Sequence, residues 1–309
     1  MTPEKRVVAL PCWRGLKSIA PLTGGVSNAS FVVVDETGKY VARVGEDYPF
    51  HHVFRARELA VTRAAHAVGL SPRVVYDEPG IMVVALLNAQ TYTETDVRAD
   101  AVRCVELVRR CHREMPRHMT GPGAIFWVFH VLRDYGHTLK QGRHARAADV
   151  PRWLAQVDRL EEAQIALPIV FGHHDLLPGN FMDDGQRVWL IDWEYGGFGT
   201  AMFDLANLAA NGGFSAADDR ELLEAYFGRP VREELQRSFD AMKVASALRE
   251  ATWAMVSETH LAAPGANYRA HAAEYLTRTE SALARYAEVH GRLHSAGPAQ
   301  PGRRTIRRQ

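Results

Sequence analysis

One stretch, FGHHDLLPGNFMDDGQRVWLIDW from Phe171 to Trp193, constrains this chain more than any other. A short apolar run, Leu167 to Phe171, feeds the polar cluster His173-His174-Asp175, and a turn at Leu177-Pro178-Gly179 leads to Asn180. Phe181-Met182 and Val188 to Ile191 flank a second turn, Asp183-Asp184-Gly185, and Asp192 ends the second run. This pattern predicts a loop followed by a tight strand pair. Asp175, Asn180 and Asp192 then gather at one end of a small ribbon.

The spacing carries chemistry. Phosphoryl transfer needs a carboxylate to orient the accepting hydroxyl, and oxygens that hold magnesium against the nucleotide phosphates. Asp175 and Asn180 are spaced D-x-x-x-x-N, and His173 precedes the aspartate by two. Protein kinases carry H-R-D-x-x-x-x-N and a separate metal-binding aspartate. Asp192 stands as that aspartate, followed by Trp193-Glu194 instead of Phe-Gly. Carboxylate and amide oxygens suit magnesium. Another chemistry open to the same residues is a zinc hydrolase site of His173, His174, Asp175 and His112, for which Asn180 is a poor ligand.

On these residues the chain resembles the choline/ethanolamine kinase branch of the aminoglycoside-phosphotransferase-like, protein-kinase-like superfamily. Three pieces carry the resemblance: H-x-D-x-x-P-x-N from His173, I-D-[FW]-E-Y from Ile191, and F-D-[IL]-[AG]-N from Phe203. A weaker likeness runs from Leu22 to Tyr286. It implies a bilobal α+β fold: an N-terminal nucleotide-binding sheet lobe over residues 1–87 and a larger, mainly helical lobe over 88–292. Residues 293–309 are expected to be a disordered basic tail. It also implies ATP and Mg2+ as cofactors, Asp175 as the catalytic carboxylate, His173 as a brace of its loop, and Asn180 and Asp192 as magnesium ligands. The partner is a small-molecule alcohol, choline or ethanolamine first. Thiamine, a sugar-like alcohol or an aminoglycoside are alternatives on the same fold. A non-catalytic nucleotide-binding module is the reading from another class, and the intact Asp175, Asn180 and Asp192 argue against it.

Upstream, Leu22-Thr23-Gly24-Gly25-Val26-Ser27-Asn28 precedes two β-branched runs, Phe31 to Val34 and Tyr40 to Val44, around a Gly-containing turn. That is a hairpin signal. Glycines before it let backbone amides approach phosphate oxygens, which makes Gly24, Gly25, Ser27 and Asn28 candidates for the nucleotide. Arg43 sits where the kinase V-A-I-K motif has lysine, and an arginine can bind phosphate bidentately. Glu58, in a helix expected over Val53 to Val68, resembles the glutamate that pairs with that cation. Strands are expected at Val74 to Tyr76 and Gly80 to Leu87. By resemblance, the backbone from Leu86 to Asn88, Leu87 in particular, meets adenine.

From Asp96 the period changes to about 3.6, the helical repeat. Val102, Val105, Val108 and His112 mark one expected face. Further helices are expected over Pro151 to Ala166, Asp218 to Phe227, Arg232 to Leu248, Arg249 to His260 and Asn267 to His290, with a small one at Lys5 to Cys12. Asp204 either caps a helix opening at Phe203 or, by resemblance, accepts bonds from the catalytic-loop backbone. Trp253, Tyr195 and Phe198, with Glu194 or Glu250 for charge, suggest an aromatic box for a quaternary ammonium.

Charge balance excludes other classes. A net charge of +1 over 309 residues lacks the basic excess of a nucleic-acid binder. The exception is the tail cluster Arg303, Arg304, Arg307 and Arg308. Cys12, Cys104 and Cys111 show no framework spacing and read as reduced thiols, and Cys104 and Cys111, seven apart in a helical pattern with Ala101 and Val108, read as core residues. There is no signal-peptide run at the N-terminus and no stretch approaching about 18 apolar residues, so no membrane span and a cytoplasmic place are expected.

Overall fold

The computed structural model describes residues 1–22, 28–261, 266–291 and 293. The candidate glycine-loop residues Gly24, Gly25 and Ser27 and the basic tail cluster lie outside them. Thr2 caps a first helix, α1 (Pro3–Val8). It starts earlier and stops sooner than expected, because Leu10 precedes Pro11 and is steered away from helical geometry.

Five strands follow: β1 (Ser18–Leu22), β2 (Ala29–Val34), β3 (Lys39–Val44), β4 (Val74–Glu78) and β5 (Ile81–Ala85). They form one antiparallel sheet in the order β1-β2-β3-β5-β4. Asp35 closes the β2–β3 turn by accepting from the Thr37 and Gly38 amides at 2.6 and 3.0 Å. Alternation puts Phe31, Val33, Ala42 and Val44 on the inner face, where they meet Val7 of α1 in a small core. Between β3 and β4 lies α2 (Arg55–Ala67), whose Val61, Ala64 and Ala65 join a second and much larger core.

That larger core belongs to the helical half. In chain order it comprises β6 (Gln90–Thr91), α3 (Glu94–Ala99), α4 (Ala101–Glu114), α5 (Val128–Gln141), α6 (Val150–Glu162), β7 (Ile169–Gly172), β8 (Phe181–Asp183), β9 (Val188–Leu190), β10 (Gly197–Thr200), α7 (Ala201–Asn211), α8 (Ala216–Phe227), α9 (Glu233–His260) and α10 (Tyr268–His290). β8 and β9 form the expected hairpin, with β6 beside β8, and β7 pairs with β10. No helix among the described residues is long and apolar enough to cross a membrane.

Three expectations need correction. Val102 is 77% exposed, while Cys104, Val105, Val108, Cys111 and His112 are buried. At 100° per residue Val102 lies opposite Cys104 and Cys111, so the stripe runs through the cysteines. The helix expected to reach Ala166 ends at Glu162, ahead of Leu167-Pro168. The two helices expected on either side of Leu248 are one, the 28-residue α9. No glycine or proline interrupts it, and it runs through the middle of the helical half, buried on nearly every side.

Candidate active site

β7 delivers the chain to a loop held from below by α7. Thr200, not Asp204, caps that helix, its Oγ accepting from the Met202 amide. Asp204, 1% exposed, instead accepts the His173 and His174 amides at 2.8 Å each and the His112 Nε2 at 2.9 Å. Burial disfavours its charge, but His174 and His112 outweigh that and hold the carboxyl far below the usual carboxylate range. One turn on, Asn207 accepts the Leu176 amide at 2.6 Å. His174 adopts φ +64° and stacks its ring on Phe126, centroids 4.3 Å apart.

His173 braces the loop as expected. Its Nδ1 accepts the Asp175 amide at 3.2 Å, so Nε2 carries the proton and donates to the Ile191 carbonyl at 2.9 Å. His112 has Tyr226 on Nδ1 and Asp204 on Nε2. The ring nitrogens of both histidines are thus committed to protein partners. Among the described residues no group of three or more His, Cys, Asp or Glu is placed to hold a metal. The zinc arrangement is therefore not formed.

Asp175 and Asn180 are each 8% exposed. Asn180 donates through Nδ2 to the Asp175 carbonyl at 2.8 Å and to its Oδ2 at 3.3 Å, which leaves Oδ1 as its remaining oxygen ligand. Asp192 ends the ribbon at φ +65°, a left-handed conformation that aspartate tolerates better than most residues. Its carboxylate meets Arg43 Nη2 at 2.6 Å. Arg43 Nη1 meets Glu58 at 2.9 Å, and Arg55 bridges Glu58 and Glu194 at 2.6 and 3.1 Å. At Asp192 burial raises the carboxyl, but Arg43 prevails and holds it below its ordinary value. Burial, with Asp192 and Glu58 nearby, pushes Glu194 up.

Two cavities meet here. A cleft of about 440 Å³ under the sheet is lined by Asn28, Arg43, Val84, Leu87, Met182 and Asp192 among others. A second, of about 380 Å³, is lined by Asp175, Glu194, Tyr195, Arg249, Glu250, Trp253, Tyr268 and His271. Gly179, Asn180 and Asp192 border both. The sequence-predicted residues Asp175, Asn180, Asp192, Arg43, Asn28 and Leu87 are thus brought together. Glu58 does not line the cleft and acts on it through Arg43.

The aromatic box differs from expectation. Phe198 is absent from the second cavity, its ring packed edge-on against Phe171 with centroids 5.2 Å apart. Tyr195 is 4% exposed, and the Arg249 guanidinium lies over its ring at 4.3 Å. Its hydroxyl takes the Trp253 Nε1 donor at 3.0 Å. Trp253 stands instead beside Tyr268 and His271, with ring centroids at 6.2 and 5.9 Å.

Sequence reasoning missed Arg249. It is 1% exposed, and its Nη1 reaches Asp175 Oδ1 at 3.1 Å and Glu250 Oε1 at 2.5 Å. Burial pushes the Asp175 carboxyl up, and Arg249 opposes this. A signal was available: Arg249-Glu250 interrupts the otherwise uncharged stretch VASAL…ATWAMV.

Comparison with known proteins bears on the fold and the family. A probable ethanolamine kinase of Arabidopsis thaliana is 25% identical over 209 residues, 62% of this chain, and the match spans only 55% of the plant protein's length. A thiamine kinase of Salmonella typhi is 25% identical over 210 residues, 66% of this chain and 69% of that protein. The crystal structure of a choline/ethanolamine kinase family protein from Mesorhizobium loti is 27% identical, with a TM-score of 0.72, over 93% of this chain and 97% of that one. The fold is therefore protein-kinase-like. Since residues 18–237 match its defining pattern, the chain belongs to the phosphotransferase enzyme family.

Proposed function

We propose that this chain is an ATP- and magnesium-dependent kinase that phosphorylates the hydroxyl of a small cationic alcohol, choline or ethanolamine first. One observation carries the reading: the two cavities meet where Asn180 and Asp192 stand, and Asp175 lies in the wall of the second. In this reading residues 1–87 and 88–292 form the two lobes, nucleotide binds in the cleft between them, and the alcohol in the second cavity. The three cysteines, all free thiols, fit a cytoplasmic place.

Asn180 Oδ1 and the ionised Asp192 are hard oxygen donors and would hold magnesium. When bound, that ion neutralises charge on the nucleotide phosphates. Asp175 orients the alcohol hydroxyl and takes its proton as the new oxygen–phosphorus bond forms and the bond to the departing ADP breaks. Arg43, steadied by Glu58, faces the phosphates. Leu87 lies where the backbone would meet adenine.

The acceptor class follows from charge. Asp192 and Glu250, both held below their ordinary values, line the second cavity with Asp175 and Glu194, Arg249 is the one arginine or lysine among its described lining residues, and the Trp253 ring is suited to an ammonium group. Thiamine is the second reading, favoured by the 25% identical thiamine kinase. Coupled ATP turnover against choline, ethanolamine, thiamine and kanamycin decides between them. Turnover of choline or ethanolamine, abolished in Asp175→Asn, is expected. Kanamycin as the sole substrate would overturn the acceptor class, and full activity of Asp175→Asn would overturn the site.

A further inference from the structure

The second cavity is shaped partly by a residue from the opposite side of the cleft. The connector between β3 and α2 turns at Pro49–His51 and carries His51 in among the helices. His51 is 2% exposed. Its Nδ1 meets the Tyr135 hydroxyl of α5 at 3.2 Å, and its Nε2 meets Ser257 Oγ of α9 at 2.8 Å. The imidazole lies nearly parallel to Trp253, with centroids 5.2 Å apart and planes at 26°. Its neighbours dock too: Phe50 stacks on His260 at 4.5 Å, and His52, at φ +60°, bonds Asp134 at 2.7 Å. The same segment runs on into α2, where Glu58 holds Arg43 and Arg55 holds Glu194.

We propose that His51 is a positioning residue for the acceptor: it backs the indole of Trp253, so one segment sets both the acceptor wall and the Arg43 side of the nucleotide cleft. Hydrogen bonds at both ring nitrogens fix the imidazole plane, and the stacked pair leaves Trp253 one orientation. A wall ordered before the ligand arrives costs less to order on binding. The effect belongs to the acceptor, because the described hydrogen-bond and ring partners of His51 are Tyr135, Ser257, Phe50 and Trp253, of which Trp253 lines the second cavity and none is among the described residues lining the nucleotide cleft. The inference rests on reading the second cavity as the acceptor site.

The test uses the full chain with choline, or whichever of the four alcohols turns over. His51→Gln removes the stacked ring and is expected to raise the acceptor KM about tenfold, with ATP KM and kcat moving by no more than about threefold. Ser257→Ala, which removes one hydrogen bond from the other side, is expected to give a smaller rise of the same sign. Trp253→Ala separates the two levels. A raised acceptor KM in Trp253→Ala with none in His51→Gln or Ser257→Ala overturns the inference and leaves the cavity assignment standing. An unchanged acceptor KM in Trp253→Ala overturns the assignment itself. Equal changes in both KM values, accompanied by a lowered Tm, show a structural role only and also overturn the inference.

Discussion

Removal of Arg249 tests what holds Asp175, the carboxylate proposed to act on the alcohol. Asp175 and Glu250 are both buried, and Arg249 Nη1 stands between them. In Arg249→Gln two carboxylates remain in a poorly solvated site without their cation. Breaking a buried ion pair by deleting one partner costs about 3–5 kcal/mol, and protonation of one carboxylate limits the loss. For a chain of this size that lowers Tm by about 4–8 °C. Asp175 also loses its anchor, and misplacement of a reacting group by about 1 Å costs about 100-fold in rate. Stability and rate are separated by a second variant, Arg249→Met with Glu250→Met. Replacing Arg249 and Glu250 by apolar side chains of similar size restores part of the stability, since only Asp175 is then left buried without its cation. It does not restore the hold on Asp175, so kcat stays low. Thermal unfolding and steady-state turnover of the two variants are the assays. If Arg249→Gln melts within about 1 °C of the parent, the buried-pair argument fails. If the double variant regains full kcat, Arg249 does not position Asp175.

Further outcomes follow from other groups. Asp192→Asn keeps a residue that accepts φ +65° and should leave the fold intact, while kcat drops by at least about 100-fold; full activity in a turnover assay would remove Asp192 from the site. Asp204→Asn turns one of two acceptor oxygens into a donor facing N–H groups and should cost about 3 kcal/mol by urea unfolding, with a loss of turnover. Burial lowers His174 to about 4 and His51 to about 2 from an ordinary 6.5. At these two histidines the unfolded chain binds protons that the folded one refuses, so their contribution to stability is complete above 6.5 and falls as pH drops below it. At pH 5 the contribution lost is about 2 kcal/mol for each histidine. Asp175 and Glu194, raised by burial, act with the opposite sign over the same range, so the histidine contribution is read as the parent-minus-His51→Gln difference in unfolding free energy, and a difference that stays flat between pH 8 and 5 would contradict it.

Much of the fold was legible because local chemistry dictated it. The β2–β3 hairpin is two β-branched runs about an Asp-Gly turn, and the β8–β9 ribbon repeats that logic around Asp183-Asp184-Gly185. Asp175, Asn180 and Asp192 converge because one loop and one hairpin join them, with no distant element required. Even Arg43 and Glu58, though 15 residues apart, lie on adjacent elements of one connection. In α4 the expected face failed at Val102 alone, while Cys104 and Cys111, read as core residues from their spacing with Val108, are buried, as small hydrophobes are.

The remainder was hidden because it depends on packing between segments far apart in the chain. Arg249 reaches Asp175 across 74 residues and His51 reaches Ser257 across 206. No periodicity reports such a contact, since a helical repeat specifies which face is buried and not what it meets. α9 shows this limit most clearly. Its apolar residues occur on every side, which marks a helix enclosed by others and blurs the amphipathic signal by which surface helices are recognised. In such a helix the informative residues are the few polar ones, because a charge taken out of water persists only with partners. Lys243 has Asp219 at 2.7 Å, neither of them lining either cavity, and Arg249 has Asp175 and Glu250 in the second cavity. A buried charge in an apolar helix thus announces that a partner exists, and only the fold says whether that partner is structural or catalytic.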